Sequence, residues 1–283
     1  MRLSISVRVA ESFRDKRQAT MSLTELADLA LAEGYHALCM RASQVGTHSL
    51  RDDVVTAARE LSDRGLAVSM VTGDFPIPEN SEQGPGALRN ITPYLDLADA
   101  FGADLLRICM KTADDIEPAR RSADEAAERR IGLAHQCHTR SLFEEVDASL
   151  EVLRQVGRAN FGLIYEPANL ELCGQDYGAA TIERFAPHIF NVYLQNQRLS
   201  PEGNDTLSTW CRGDVSFDQI PVWEDGGLDF ESIMSALEAV GYDGYVTVHQ
   251  ASAALGGPRD AAARTAGYLR ALTSIEGGDD CHG

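Results

Sequence analysis

The sequence predicts an α/β fold, a single (β/α)8 TIM barrel, on three observations. Eight short apolar or alternating segments recur along 283 residues; the stretches between them carry helically spaced hydrophobics; and most segment starts fall about 30 residues apart, the length of one βα unit. The strand candidates are 3–9, 37–41, 67–72, 105–110, 131–137, 161–166, 189–195 and 245–249. Between them, Ser22 stands before Leu23, Leu26, Leu29 and Ala30, with Glu25 placed to complete a capping box and Gly34 to stop the helix. Helices over 49–64 and 229–240 end at Gly65 and Gly241 in the same way. The seventh and eighth strands start about 56 residues apart, and the sequence reads 198–227 as a long loop that holds Cys211 and two tryptophans, Trp210 and Trp223, the tryptophans being either lid anchors or a subunit contact. The barrel domain is expected to span 1–276, followed by a polar, glycine-rich, mobile tail at 277–283.

Forty-three acidic residues against 25 Lys and Arg leave a formal charge of −18, which argues against a nucleic-acid partner. No apolar run reaches the roughly 18 residues of a membrane span, and residues 1–9 alternate rather than form a signal core, so a cytoplasmic protein is expected. The six cysteines are scattered, the nearest pair 28 positions apart. That spacing offers no metal clip and points to reduced thiols.

Period two sets the phase of each strand. Gln136 and His138 then face inward at the end of the fifth strand, Glu166 at the sixth, Tyr193 and Gln195 at the seventh and His249 at the eighth, while His135 turns toward the helices. The early strands add Ser4, Ser6 and Arg8, then Arg41, then Arg107 and Lys111. In such barrels this end carries the chemistry. A basic mouth on an acidic protein would attract a phosphorylated, carboxylated or enediolate-like ligand.

The segments Ala134-His-Gln-Cys-His138, Tyr165-Glu-Pro-Ala-Asn169, Asn191-Val-Tyr-Leu-Gln-Asn196 and Gly241-Tyr-Asp-Gly-Tyr-Val-Thr-Val-His249 resemble the last four strands of the sugar phosphate isomerase/epimerase-like family, within the xylose isomerase-like barrel superfamily. The resemblance implies a divalent metal held by Glu, Asp, His and Glu from strands five to eight. This sequence has Gln136, Glu166, Tyr193 and His249 at those positions. The resemblance also places Asn169 where many epimerases carry a substrate-contacting His, and Arg198 near a substrate-binding Arg. A homo-oligomer is favoured on the same ground.

The resulting expectation is a carbohydrate isomerase or epimerase that abstracts a proton next to a carbonyl through an enediolate. Glu166, His249, His138 and Lys111 are the catalytic candidates. Arg8, Arg41, Arg107, Asn169, Tyr193, Gln195 and Arg198 are the substrate-binding candidates. A divalent ion (Mn, Mg, Co or Zn) would sit on Glu166, His249 and Gln136 in a neutral-rich shell, and no nucleotide cofactor is expected. Two rivals start from the same residues: a lyase on a keto-sugar or cyclic polyol, and a non-catalytic sugar-binding barrel. The superfamily's DNA-repair branch is set aside on charge and on the shortage of His, Asp and Glu at strand ends.

Overall fold

A computed structural model describes residues 1–273; the expected tail at 277–283 lies outside them. Eight parallel strands close into a barrel: β1 (Arg2–Ser6), β2 (Ala37–Arg41), β3 (Ala67–Thr72), β4 (Leu105–Ile108), β5 (Gly132–Gln136), β6 (Phe161–Tyr165), β7 (Ile189–Leu194) and, closing onto β1, β11 (Tyr245–Val248). Their order around the barrel follows the chain, as right-handed βα units require. Helices α1 (Leu23–Ala32), α2 (Arg51–Asp63), α3 (Thr92–Phe101), α4 (Ile116–Glu128), α5 (Val146–Val156), α6 (Pro167–Leu172), α7 (Ala179–Phe185), α8 (Phe230–Ala239) and α9 (Pro258–Leu272) form the outer layer. None of the described helices is long and apolar enough to cross a membrane.

The local signals act as the sequence suggests. Ser22 Oγ accepts the Glu25 amide while the Glu25 carboxylate accepts the Ser22 amide, so two amides at the α1 start are satisfied reciprocally. Gly34 follows the end of α1 at φ 69°, a conformation that only glycine adopts without strain. Gly162 on β6 answers a packing need: a Cβ there would stand 2.7 Å from the Phe190 ring and 2.6 Å from the His188 carbonyl.

Two hydrophobic layers result. Outward residues such as Leu3, Leu38, Leu106, Leu133, Leu163 and Val192 pack against the helices. Inside the barrel, Cys39, Met70, Leu105, Ala134, Ile164 and Tyr193 form a smaller cluster. A polar layer lies there too: Ser4 Oγ meets Ser69 Oγ at 2.7 Å, and Thr247 donates to Asn191 Oδ1 at 2.9 Å.

The structure departs from the sequence reading in two places. The first strand ends at Ser6 and not at residue 9, because Ser6 Oγ accepts the Arg8 amide and turns Val7–Ala10 into a 3-10 helix. The segment read as a long loop over 198–227 is largely a three-stranded antiparallel sheet, in the order β8 (Asn196–Leu199), β10 (Gly213–Ile220), β9 (Asp205–Thr209). This sheet and residues 11–19 cover the barrel mouth: Phe13 meets Phe217 edge-on at 6.2 Å.

Candidate active site at the barrel mouth

A small cavity of about 60 Å³ lies at the C-terminal ends of the strands. Of the candidates from sequence, Arg8, Arg41, Arg107, Gln136, His138, Glu166, Asn169, Gln195 and His249 line it; Phe13, Lys16, Pro78 and Leu207 join them from the covering segments. A larger open groove of about 710 Å³ runs between α2 and α3 on the outer surface, far from this convergence of buried polar groups.

Glu166 sits just beyond β6, held by the turn that Pro167 starts, and has no solvent exposure. Its Oε2 accepts from Gln136 Nε2 and from Asn169 Nδ2, the latter at 2.6 Å. Asn169 is fixed in turn by donating to the Cys137 carbonyl at 2.9 Å. Glu166 Oε1 and Gln136 Oε1 are buried and have no partner among the described residues. Burial pushes the Glu166 carboxyl up to about 7, against the opposing pull of Gln136 and Arg107.

The opposite side of the mouth is cationic. Arg41 donates from Nε to Glu11 Oε1 at 2.9 Å, and its two terminal nitrogens are buried with no partner among the described residues. Arg8 reaches Glu11 Oε2 at 3.4 Å and the Ser12 carbonyl at 2.5 Å. Arg107, 3% exposed, makes no hydrogen bond among the described residues and lies over the Tyr193 ring at 5.9 Å. Lys16 Nζ donates to the Pro78 carbonyl at 2.6 Å. Burial, then repulsion from Arg8, Arg41 and Arg107, brings this lysine down to about 7.

Both cavity histidines are held well below the usual imidazole range, by burial first and then by nearby guanidinium groups. His138 donates from Nδ1 to the Thr139 carbonyl at 2.9 Å, which leaves Nε2 as an acceptor in the neutral ring. His249 Nδ1 faces Ser6 Oγ at 3.0 Å. His135 does turn outward: its nitrogens lie against the Gln136 and Met110 carbonyls and its ring stacks on Phe143.

Three candidates stand elsewhere. Lys111 lies beyond the end of β4, where period two no longer applies; its Nζ reaches the Arg140 carbonyl (3.1 Å) and Glu82 (3.5 Å), near the Trp210 ring. Arg198 holds the Asp225 and Gly226 carbonyls. Tyr193 lies inside the barrel, its hydroxyl 3.2 Å from Cys39 Sγ. Sequence reading missed Glu11 and Lys16, which sit in a segment with no periodic pattern. It also missed Leu207, the one apolar residue of Asp205–Thr209, where polar neighbours on both faces blur the alternation. A different group, Glu144, Cys173 and Cys211, brings three possible metal-ligand atoms within 4.8 Å of one another. There the Glu144 carboxylate already accepts the Arg140, Trp210 and Cys211 amides.

The family model for xylose isomerase-like TIM barrels matches residues 27–272. The rhizopine catabolism protein MocC of Rhizobium meliloti is 31% identical over 132 residues, a match that spans 44% of this chain and 38% of that protein's length. Two solved structures share the fold at low identity. The probable 3-DHS dehydratase AsbF from Bacillus anthracis superposes with a TM-score of 0.69 at 14% identity, over 93% of this chain and 97% of that one. D-allulose 3-epimerase from Methylomonas sp., in complex with D-allulose, gives 0.68 at 16%, over 96% and 97%.

Proposed function

The chain belongs to the xylose isomerase-like TIM barrel family, and from that premise we propose that it is an isomerase or epimerase of a sugar or sugar derivative, acting by proton abstraction next to a carbonyl. One observation carries the reading: Glu166, fully buried, has one oxygen fixed by Gln136 and Asn169 and the other without a partner, in a cavity shared with Arg107. A carboxylate that titrates near 7 is matched to general-base work at neutral pH.

In this reading Glu166 Oε1 takes the proton from the carbon next to the carbonyl. The C–H electron pair becomes the new C=C bond, and the carbonyl π pair moves onto its oxygen. Arg107, whose buried Nε has no partner among the described residues, holds that oxyanion. Isomerisation returns the proton from Glu166 to the neighbouring carbon, while the substrate's hydroxyl proton crosses to the oxyanion through a neutral imidazole, His138 being placed for it. Epimerisation needs a proton on the opposite face: a water held by the neutral His249 would supply it, and the proton on Glu166 then neutralises the hydroxide left behind. Lys111 and Arg198 serve the covering segments, and Tyr193 supports His249 from below.

The divalent ion implied by the family resemblance does not suit this donor set. Gln136, Glu166 and His249 offer a single carboxylate, and the Tyr193 hydroxyl is turned to Cys39 inside the barrel. Arg8, Lys16, Arg41 and Arg107 converge on the same cavity, with Glu11 as the other buried carboxylate beside them. A dication there would face three guanidinium groups, with Lys16 beside them already opposed in its own protonation. The reaction is therefore assigned to side chains alone.

The test is solvent-deuterium exchange into a panel of ketoses, keto-sugars and sugar acids, with product analysis to separate isomerisation from elimination. Exchange is expected with at least one of them and lost in Glu166→Gln. A tightly bound ligand that shows no exchange would leave a binding barrel and overturn the proposal.

A further inference from the structure

We infer that the β1–β2 side of the mouth is an anchor for a carboxylate, so that the substrate of the reaction proposed above is a sugar-derived acid. The identity of the reaction rests on that earlier reading; the anchor rests on separate groups. Arg41 is 1% exposed, and its Nε is committed to Glu11. Its Nη1 and Nη2 are buried and have no hydrogen-bond partner among the described residues. These two nitrogens form the coplanar fork that a carboxylate meets with two parallel hydrogen bonds.

The charge count agrees. Two guanidinium groups, Arg8 and Arg41, share one carboxylate, Glu11, which also accepts from Ser43, and Lys16, brought down to about 7, lies on the same cavity. Glu11 compensates the Arg41 charge through Nε alone, and the two buried nitrogens left over lack acceptors that a carboxylate supplies as a matched pair and a single sugar hydroxyl does not. Lys16 answers to the same surplus, since Arg8 and Arg41 both oppose its protonation. The acidic end of the substrate is thus placed opposite Glu166, where like charges stay apart and the carbon acid can reach the base. A carboxylate's two oxygens match the two free Arg41 nitrogens one to one.

Isothermal titration at constant ionic strength tests this with D-glucuronate, D-gluconate, D-glucose and D-glucose 6-phosphate against wild type, Lys16→Met, Arg41→Lys and Glu166→Gln. Lys16 lies on a covering segment where its loss leaves the core intact, and Arg41→Lys keeps the charge beside Glu11 while removing the fork. The acids are expected to bind at least about tenfold more tightly than glucose. That preference should fall several-fold in Lys16→Met, vanish in Arg41→Lys and persist in Glu166→Gln. Equal binding of glucose, a preference for the phosphate, no binding of either acid, or an undiminished preference in both cation variants would overturn it. The two proposals fail separately. Acid binding that depends on Arg41 without deuterium exchange removes the base but keeps the anchor. Exchange into neutral ketoses with no gain from a carboxylate removes the anchor but keeps the base.

Discussion

The imidazole of His249 lies flat on the ring of Tyr193, centroids 3.6 Å apart and planes 7° from parallel. Tyr193 lies on β7 and His249 directly follows the neighbouring β11, and the two occupy positions at which the family resemblance implies metal ligands. Stacking leaves Tyr193 below the cavity floor, its hydroxyl bonded toward Cys39, and presents the edge of His249 to the cavity. The site is thereby built around an aromatic platform with a positive rim.

The first consequence concerns that imidazole. Burial, followed by repulsion from Arg41, Arg107 and Arg8, keeps His249 neutral far below the ordinary imidazole range. Its ring signals in NMR should not titrate between pH 6 and 8. His249→Ala should lower turnover by about 100-fold or more. A normal titration midpoint near 6.5, or a loss under about threefold, would take His249 out of the mechanism.

Glu166 should impose the pH dependence. With the folded carboxyl near 7, kcat/KM rises as pH rises through about 7 and levels off above it, because only the ionised form accepts a proton. Stability runs the other way. The ordinary carboxyl value is 4.5, so the folded state holds this proton more tightly than the unfolded chain does. The resulting stabilisation is complete below about 4.5 and is lost as pH rises through about 7. Glu166→Gln mimics the protonated side chain and should be inactive, yet more stable than wild type by about 1–3 kcal/mol at pH 8, with the difference vanishing near pH 4. Urea unfolding at both pH values reads this directly.

Chelation gives a third expectation. Dialysis against EDTA should leave turnover within about twofold of the untreated protein, and added Mn²⁺ or Mg²⁺ should not raise it, because the mouth supplies its own cations. A metal equivalent that disappears together with activity, and whose return restores both, would reinstate the family's metal.

The strands were legible because their burial has period two and their spacing repeats, signals that survive in a single sequence. The same logic placed Gln136, Glu166 and His249 in one cavity. It could not place Lys111, since the alternation ends with β4 at Ile108 and the following backbone turns the side chain toward Arg140 and Glu82. Nor could it show Glu11 or Lys16, whose positions depend on contacts with Arg41, Ser43 and Pro78, up to 62 residues away. The sheet over β8–β10 was hidden by polar residues on both of its faces, which blur the alternation of Asp205–Thr209 and Gly213–Ile220.

Asn196 ties this sheet to the barrel. Its Nδ2 donates to the Pro221 and Glu224 carbonyls, both at 3.0 Å, and its Oδ1 accepts the Gln197 and Leu228 amides. Gly227 permits the arrangement, since a Cβ there would stand 2.0 Å from Asn196 Oδ1 and 2.6 Å from the Gln197 carbonyl. Gly227→Ala should therefore destabilise by about 2 kcal/mol or more, measured by denaturant unfolding. An unchanged midpoint would mean that the connection yields without cost.

At its far end the sheet is clamped by a single buried carboxylate. Glu144, 4% exposed, accepts the Trp210 amide at 2.8 Å and the Cys211 amide at 3.0 Å, and so fixes the turn between β9 and β10. That turn carries the strand from which Leu207 reaches the cavity. Charged acceptors on amides are the stronger class of hydrogen bond, and removing one that is buried leaves its donors unpaired. Glu144→Ala should free the turn, with faster amide exchange over 205–220 while the barrel strands keep their protection. The base, Glu166, and its partners Gln136 and Asn169 are not touched by this change. The kinetic signature should accordingly be a rise in KM of about tenfold, with kcat reduced much less. A fall in kcat at constant KM would instead show that the clamp orders the catalytic groups themselves.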